Sequence, residues 1–119
     1  MQTNIISVTD AAIMTARCSA QKENILAPAR QNEGIVPTCE TFTKAAFESL
    51  LSISGCTAVR IYSAMDADLK IRFVICGVNS NNEDIFIADT SSSEEPIPSV
   101  VENGSRCPDY CPPDSPLNS

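Results

Sequence analysis

Two alternating runs joined by a short polar loop set the tightest limit on what this chain can fold into. Residues 56–64 (CTAVRIYSA) put Val59 and Ile61 on one side and Arg60 and Tyr62 on the other. Residues 70–78 (KIRFVICGV) alternate again, with Ile71, Phe73 and Ile75 on one face and Arg72, Val74, Cys76 and Val78 on the opposite one. A side-chain period of two is the mark of a β-strand with one face buried. Residues 65–69 (MDADL) supply the turn, so the pair reads as an antiparallel hairpin. Residues 79–82 (NSNN) read as a second turn, and Ile85, Phe86 and Ile87 as a short third strand. The expectation is a three-stranded antiparallel meander.

The residues before Gly55 follow a different period. Ile13, Ala16 and Ala20, widened by Met14, Cys18 and Ile25, recur at helical spacing from Asp10 to about Lys22. Ser7, Thr9 and Asp10 offer N-terminal caps. Pro28, Gly34 and Pro37 mark a connection. Cys39, Phe42, Ala46, Leu50 and Ile53 then recur at spacings of three and four, which predicts a second helix over 39–53 capped by Thr38. Gly55, tolerant of positive φ, closes it. Two helices followed by hairpins argue an α+β fold, with both helices packed on the meander.

Charge separates the end of the chain from its body. The 119 residues carry a net charge of -7. Residues 1–78 hold seven Lys/Arg against seven Asp/Glu, whereas 79–119 hold Arg106 alone against eight acids. Residues 90–119 contain six of the eight prolines, seven serines and no lysine. The expected division is an α+β domain at 1–89 and an acidic Pro/Ser-rich tail at 90–119, in which Ile97, Val100 and Val101 are candidates to dock on the body. A neutral body with an acidic tail is a poor nucleic-acid binder, because that task needs clustered cations. Anionic membrane surfaces are disfavoured for the same reason. The densest apolar run, 71–78, is far short of the about 20 residues a spanning helix needs, and residues 1–8 lack the pattern of a secretory signal. A cytoplasmic location with reduced cysteines is therefore expected.

The chain has no His and no Trp. Without His there is no Ser-His-Asp or Cys-His catalysis and no imidazole ligand. No nucleophile–base pair and no phosphate loop is visible, so a non-enzymatic role is expected. The sharpest motif is Cys107-Pro108-Asp109-Tyr110-Cys111. Its spacing allows two thiolates to reach one zinc ion, with Cys56 as a third ligand and Cys76 or Asp109 completing the four that zinc prefers. The same cysteines are equally able to form a reversible disulfide, or to remain a thiol pair with no ligand. Cys18, Cys39 and Cys76 sit at apolar positions and read as small hydrophobes of the core. Arg60 and Tyr62, with Arg72 on the neighbouring strand, form a candidate surface for a carboxylate or phosphate, unless the guanidinium groups pair with the protein's own acids. Asp66-x-Asp68 opens like a calcium loop, but Ile71 stands where that loop needs Gly, so it reads as turn chemistry.

The run Gly55-Cys56-Thr57-Ala58-Val59-Arg60-Ile61-Tyr62, then Gly77-Val78-Asn79, and the Cys107-Pro108-x-x-Cys111 ending resemble a family of small, uncharacterised proteins of the Bacteroidota. The resemblance covers about residues 5–119 and is clearest over 55–85 and at the tail. It implies a helical first half, a hairpin and a Cys-Pro-x-x-Cys tail, places Cys56, Cys107 and Cys111 on the family's cysteine positions, and implies no activity. The chain departs from the pattern at Ala58, where Gly is common, and in its long Ser/Glu/Pro insert before the tail. Two functional expectations follow from the whole reading. The first is a protein-interaction or self-association module working through a free sheet edge or the tail. The second is a thiol-based metal-binding or redox-responsive protein.

Overall fold

The computed structural model describes residues 4–86, 100–102, 104–107 and 109–118. Helix α1 spans Val8–Gln21. The Ser7 hydroxyl caps it by accepting from the Asp10 N–H at 3.0 Å, which satisfies one of the amide donors that every helix start leaves unpaired. The apolar stripe is rich in Ala, and no residue of α1 is buried. A single turn of 3₁₀ helix follows at Pro28–Arg30.

Helix α2 is shorter than the spacing predicts. It covers Lys44–Leu51, and its cap is Thr43, whose hydroxyl accepts from the Ala46 N–H at 3.2 Å. Residues Cys39–Thr41 form a strand instead, β1. The reason is a long-range pairing that local periodicity does not register. The Thr38 N–H, expected to begin a helix, donates to the Cys107 carbonyl at 3.1 Å, and β1 forms a two-stranded sheet with β6 (Ser105–Cys107). Gly55 adopts φ 86° beyond the helix end, a conformation that disfavours any side chain.

The hairpin is β2 (Ala58–Met65) and β3 (Ile71–Val78). Their register runs without interruption from Ala58 opposite Val78 to Met65 opposite Ile71. Between them, Asp66 Oδ1 accepts from the Asp68 and Lys70 N–H groups at 2.9 and 3.1 Å, and Leu69 takes φ 65°. Both aspartates of the D-x-D run thus lie in an Asx-type turn. The next strand, β4, is Asp84–Ile85 and pairs with the end of β3. Ile87, the 89/90 boundary, the insert at 90–96 and Ile97 lie outside the described residues.

A further strand completes this sheet. Strand β5 (Val100–Val101) pairs antiparallel with β3, Val101 opposite Ile75. The expected three-strand meander is therefore a four-stranded antiparallel sheet, because two valines read as tail residues supply one more strand. Opposed residues share a face in such a ladder. One face carries Val59, Ile61, Phe73, Ile75 and Val101, and α2 packs there. Leu50 (0% exposed), Ile75 and Val101 form the buried cluster, with Phe42, Ala46, Phe47 and Ile53 around it. Each fully buried aliphatic side chain of this kind contributes about 1.5–3 kcal/mol. Phe42 and Phe47 meet edge to face with centroids 6.1 Å apart.

The described residues group into two units. One draws on Met1–Cys39 and Arg106–Ser119, the other on Glu40–Ser105. The fold is α+β, with α2 in the same unit as the four-stranded sheet and α1 in the other. The first unit is tied internally by Arg106. This side chain is 4% exposed, and its Nη2 donates to the Gly34 and Ile35 carbonyls at 3.1 and 3.2 Å.

Candidate functional site

The second face of the sheet carries Arg60, Tyr62, Arg72, Val74, Cys76, Val78 and Asp84, as the register dictates. Asp84 is the centre of a polar cluster. Arg60 Nη1 donates to its Oδ1 and the Tyr62 hydroxyl donates to its Oδ2. The other arm of the guanidinium reaches Asn82, through the side-chain Oδ1 and through the carbonyl at 3.4 Å. Asn82 itself holds φ 64° in the turn, which brings both of its oxygens to one side. The arrangement follows from the ladder. Arg60 lies opposite Cys76 and Asp84 opposite Val78, so all four share a face on neighbouring strands.

Titration follows this geometry. The Tyr62 hydrogen bond, then those of Arg60, hold the Asp84 carboxyl below the usual carboxylate range. The bond to Asp84 raises Tyr62 above the ordinary phenol value. Burial, followed by the Asp84 charge, pushes the Cys76 thiol up. Cys76 is thus a buried, protonated thiol, and such groups are poor nucleophiles.

Arg72, the other half of the candidate anion surface, points to a different pair of acids. Its Nε lies 3.2 Å from Glu40 Oε1 and 3.3 Å from Glu102 Oε1, and its Nη2 donates to the Gly104 carbonyl at 3.1 Å. The Glu40 side chain is 1% exposed. Each guanidinium therefore faces a carboxylate of this chain. A charge-assisted pair of this kind has to be broken before the same arginine can take a free anion. The sequence points to Arg60, Tyr62 and Arg72, but not to Asp84 and Glu40. The missing signal was long-range: Glu40 comes from a segment read as helix, and Asp84 from a strand of two residues.

The cysteines separate. Cys107 and Cys111 are joined by a disulfide with a Cα–Cα distance of 4.5 Å. Cys107 is buried and Cys111 exposed. The Tyr110 N–H donates to the Arg106 carbonyl at 2.6 Å, closing the turn between the two sulfurs. Zinc ligation by this pair requires its reduction first, since only thiolates bind the metal. Cys56 belongs to the unit built on the sheet and is a free thiol whose Sγ lies 3.2 Å from the Ala58 carbonyl. Among the described residues, no group of three or more His, Cys, Asp or Glu side chains is placed to hold a metal. Of the three cysteines read as core, Cys76 is buried and Cys39 partly so. Cys18 is exposed, and no residue of α1 is buried.

The outer edge of the sheet completes the description. Strand β2 pairs with β3 alone among the described residues. Along it Ile61 is 59% and Met65 61% exposed. Beside Ile61, a cavity of about 300 Å³ is lined by Glu40, Phe42, Phe47, Phe73 and Ile75.

Among the described residues no helix is long and apolar enough to cross a membrane. No protein-family model, curated protein or solved structure matches the chain.

Proposed function

We propose that the protein is an interaction module that associates through the free edge of β2, with a second copy of itself as the simplest partner. One observation carries this reading. Strand β2 offers eight residues in unbroken register, with one edge unpaired among the described residues. Long edge strands are normally blunted by a bulge, a proline or an exposed lysine. The eight paired positions leave no room for a bulge, and Ala58–Met65 contains neither Pro nor Lys. Its single charge, Arg60, is drawn onto Asp84 and Asn82. Main-chain pairing along such an edge supplies affinity, and alternate side chains such as Ile61 and Met65 supply selectivity.

Sedimentation velocity over a concentration series tests this. The wild type is expected to shift from monomer to dimer by about 100 μM, the range of a modest edge contact. Ser63→Lys, an exposed position on the same strand, is expected to hold the protein monomeric. A wild type that stays monomeric throughout, or a Ser63→Lys variant that dimerises equally, removes the reading.

A second reading, a redox-responsive thiol protein, is favoured by the Cys107–Cys111 disulfide and the exposure of Cys111. An attacking thiolate would bond to Cys111 Sγ and release Cys107 as the thiolate, and a second external thiol would resolve the mixed disulfide. Rapid, fully reversible reduction by a dithiol supports it. A bond that resists dithiothreitol under native conditions ends it.

A further inference from the structure

We propose that the groove beside α1 is a binding site for a small amphipathic carboxylate, such as a medium-chain fatty acid. Two adjoining cavities, of about 320 and 180 Å³, share Met14, Cys18 and Lys22. Met14, Cys18, Ile25 and Val36 make the wall of the larger one apolar. Leu117 closes the smaller one. The volume of the larger cavity is at the lower end of what small-molecule sites use, and an apolar lining with a few placed charges is their usual make-up.

Charge selects the ligand. Arg17 and Lys22 both line the larger cavity. Lys22 Nζ donates to a neutral group, the Thr38 hydroxyl, at 3.1 Å. Among the described residues neither cation forms an ion pair with a carboxylate of this chain. They differ in this from Arg30, Lys44, Arg60 and Arg72, each of which lies beside an acid. Two uncompensated cations on an apolar wall favour a ligand with a carboxylate head and a hydrocarbon body. A bare phosphate would leave the wall wet, and an ammonium amphiphile would meet like charge. Met14 is 60% and Ile25 76% exposed, so a bound chain would remove apolar surface that the fold leaves in water.

The groove shares no residue with strand β2, so its test is independent of the association reading. Isothermal titration calorimetry with decanoate below its micellar range is expected to give one site with a Kd of about 10–100 μM, the affinity such a small ligand can reach. Decyltrimethylammonium is expected to bind at least about tenfold more weakly. Arg17→Gln removes one charge at an exposed helix position while keeping a good helix former, and is expected to weaken decanoate about tenfold. Met14→Gln makes the wall polar while leaving both charges in place and is expected to weaken decanoate at least about tenfold. Far-UV circular dichroism confirms that each variant keeps its helix. Equal affinity for the two amphiphiles, or an Arg17→Gln variant that binds decanoate as the wild type does, overturns the proposal. So does binding confined to phosphatidylglycerol vesicles with no heat from free decanoate.

Discussion

Replacing Arg106 tests whether one buried guanidinium holds the unit built from the two ends of the chain. Its Nη2 serves both the Gly34 and the Ile35 carbonyl, and the side chain is 4% exposed. Hydrogen bonds from charged donors contribute about 1.5–3 kcal/mol each. Against this stands the desolvation of the guanidinium, which an apolar replacement relieves. Arg106→Ala loses both bonds and leaves a void, so its expected cost is about 3 kcal/mol. Arg106→Met keeps much of the volume and is expected to cost about 1–2 kcal/mol. Urea unfolding followed by circular dichroism reads the difference. With a slope of about 2 kcal/mol/M, the alanine variant moves the midpoint down by about 1.5 M and the methionine variant by about 0.5–1 M. A shift below about 0.3 M for Arg106→Ala would refute the reasoning, since it would mean that the two carbonyls find equivalent partners without the guanidinium.

Leu50→Ala is expected to cost about 3–5 kcal/mol, because Leu50 is fully buried against Ile75 and Val101 and large-to-small changes at such sites leave a cavity; thermal unfolding measures it. The Asp84 cluster makes stability depend on pH at both ends. Asp84 is held below its ordinary value, so its contribution is complete above the unfolded-state value of about 3.9 and is lost as pH falls through the lower folded-state value. Tyr62 is held above its own, so its contribution is complete below about pH 10 and is lost as pH rises through the higher folded-state value. Asp84→Asn is expected to flatten the acid limb and Tyr62→Phe the alkaline limb of a stability–pH profile from urea titrations.

How far the sequence reached depended on the range of the interaction. The β2–β3 hairpin was legible because alternation and a five-residue turn are local, and the structure pairs Ala58–Met65 with Ile71–Val78 in full register. A cap for α1 is legible for the same reason, although the sequence leaves Ser7, Thr9 and Asp10 as candidates and the structure uses Ser7. Helix α2 was legible in its second half only. Cys39 and Phe42 fit its period, but β1 draws Cys39–Thr41 into a strand with residues far along the chain. Strand β5 was hidden because two valines beside a proline- and serine-rich stretch carry no period. The acids at the candidate sites were missed through the same lack of range. Pairing of Arg60 with an acid of the chain is readable in the sequence, but the identity of that acid is not, because only the β3–β4 pairing brings Asp84 beside it. Arg106, the single cation of the last third, is legible by its charge but not by its burial.

The disulfide sits uneasily with the expectation of reduced cysteines in a cytoplasmic chain, and the size of its loop bears on what it does. Cys107 and Cys111 are four residues apart. On the chain-entropy account, closing so short a loop stabilises by about 2 kcal/mol, against about 4.7 kcal/mol for a loop of about 100 residues. As a staple it is therefore weak, and it spans only the turn that the Tyr110–Arg106 hydrogen bond already closes. The nearby Arg106 bonds and the Thr38–Cys107 hydrogen bond do not pass through either sulfur. Reduction should then leave this unit folded. Dithiothreitol, or Cys111→Ser, is expected to lower the urea-derived stability by no more than about 2 kcal/mol while the helical circular dichroism persists. Such a result would mean that the bond can open and close at little structural cost, as a redox-responsive pair requires. Collapse of the fold on reduction would instead make it a structural bridge, which a reducing compartment would not maintain, and the cytoplasmic expectation would fall with it.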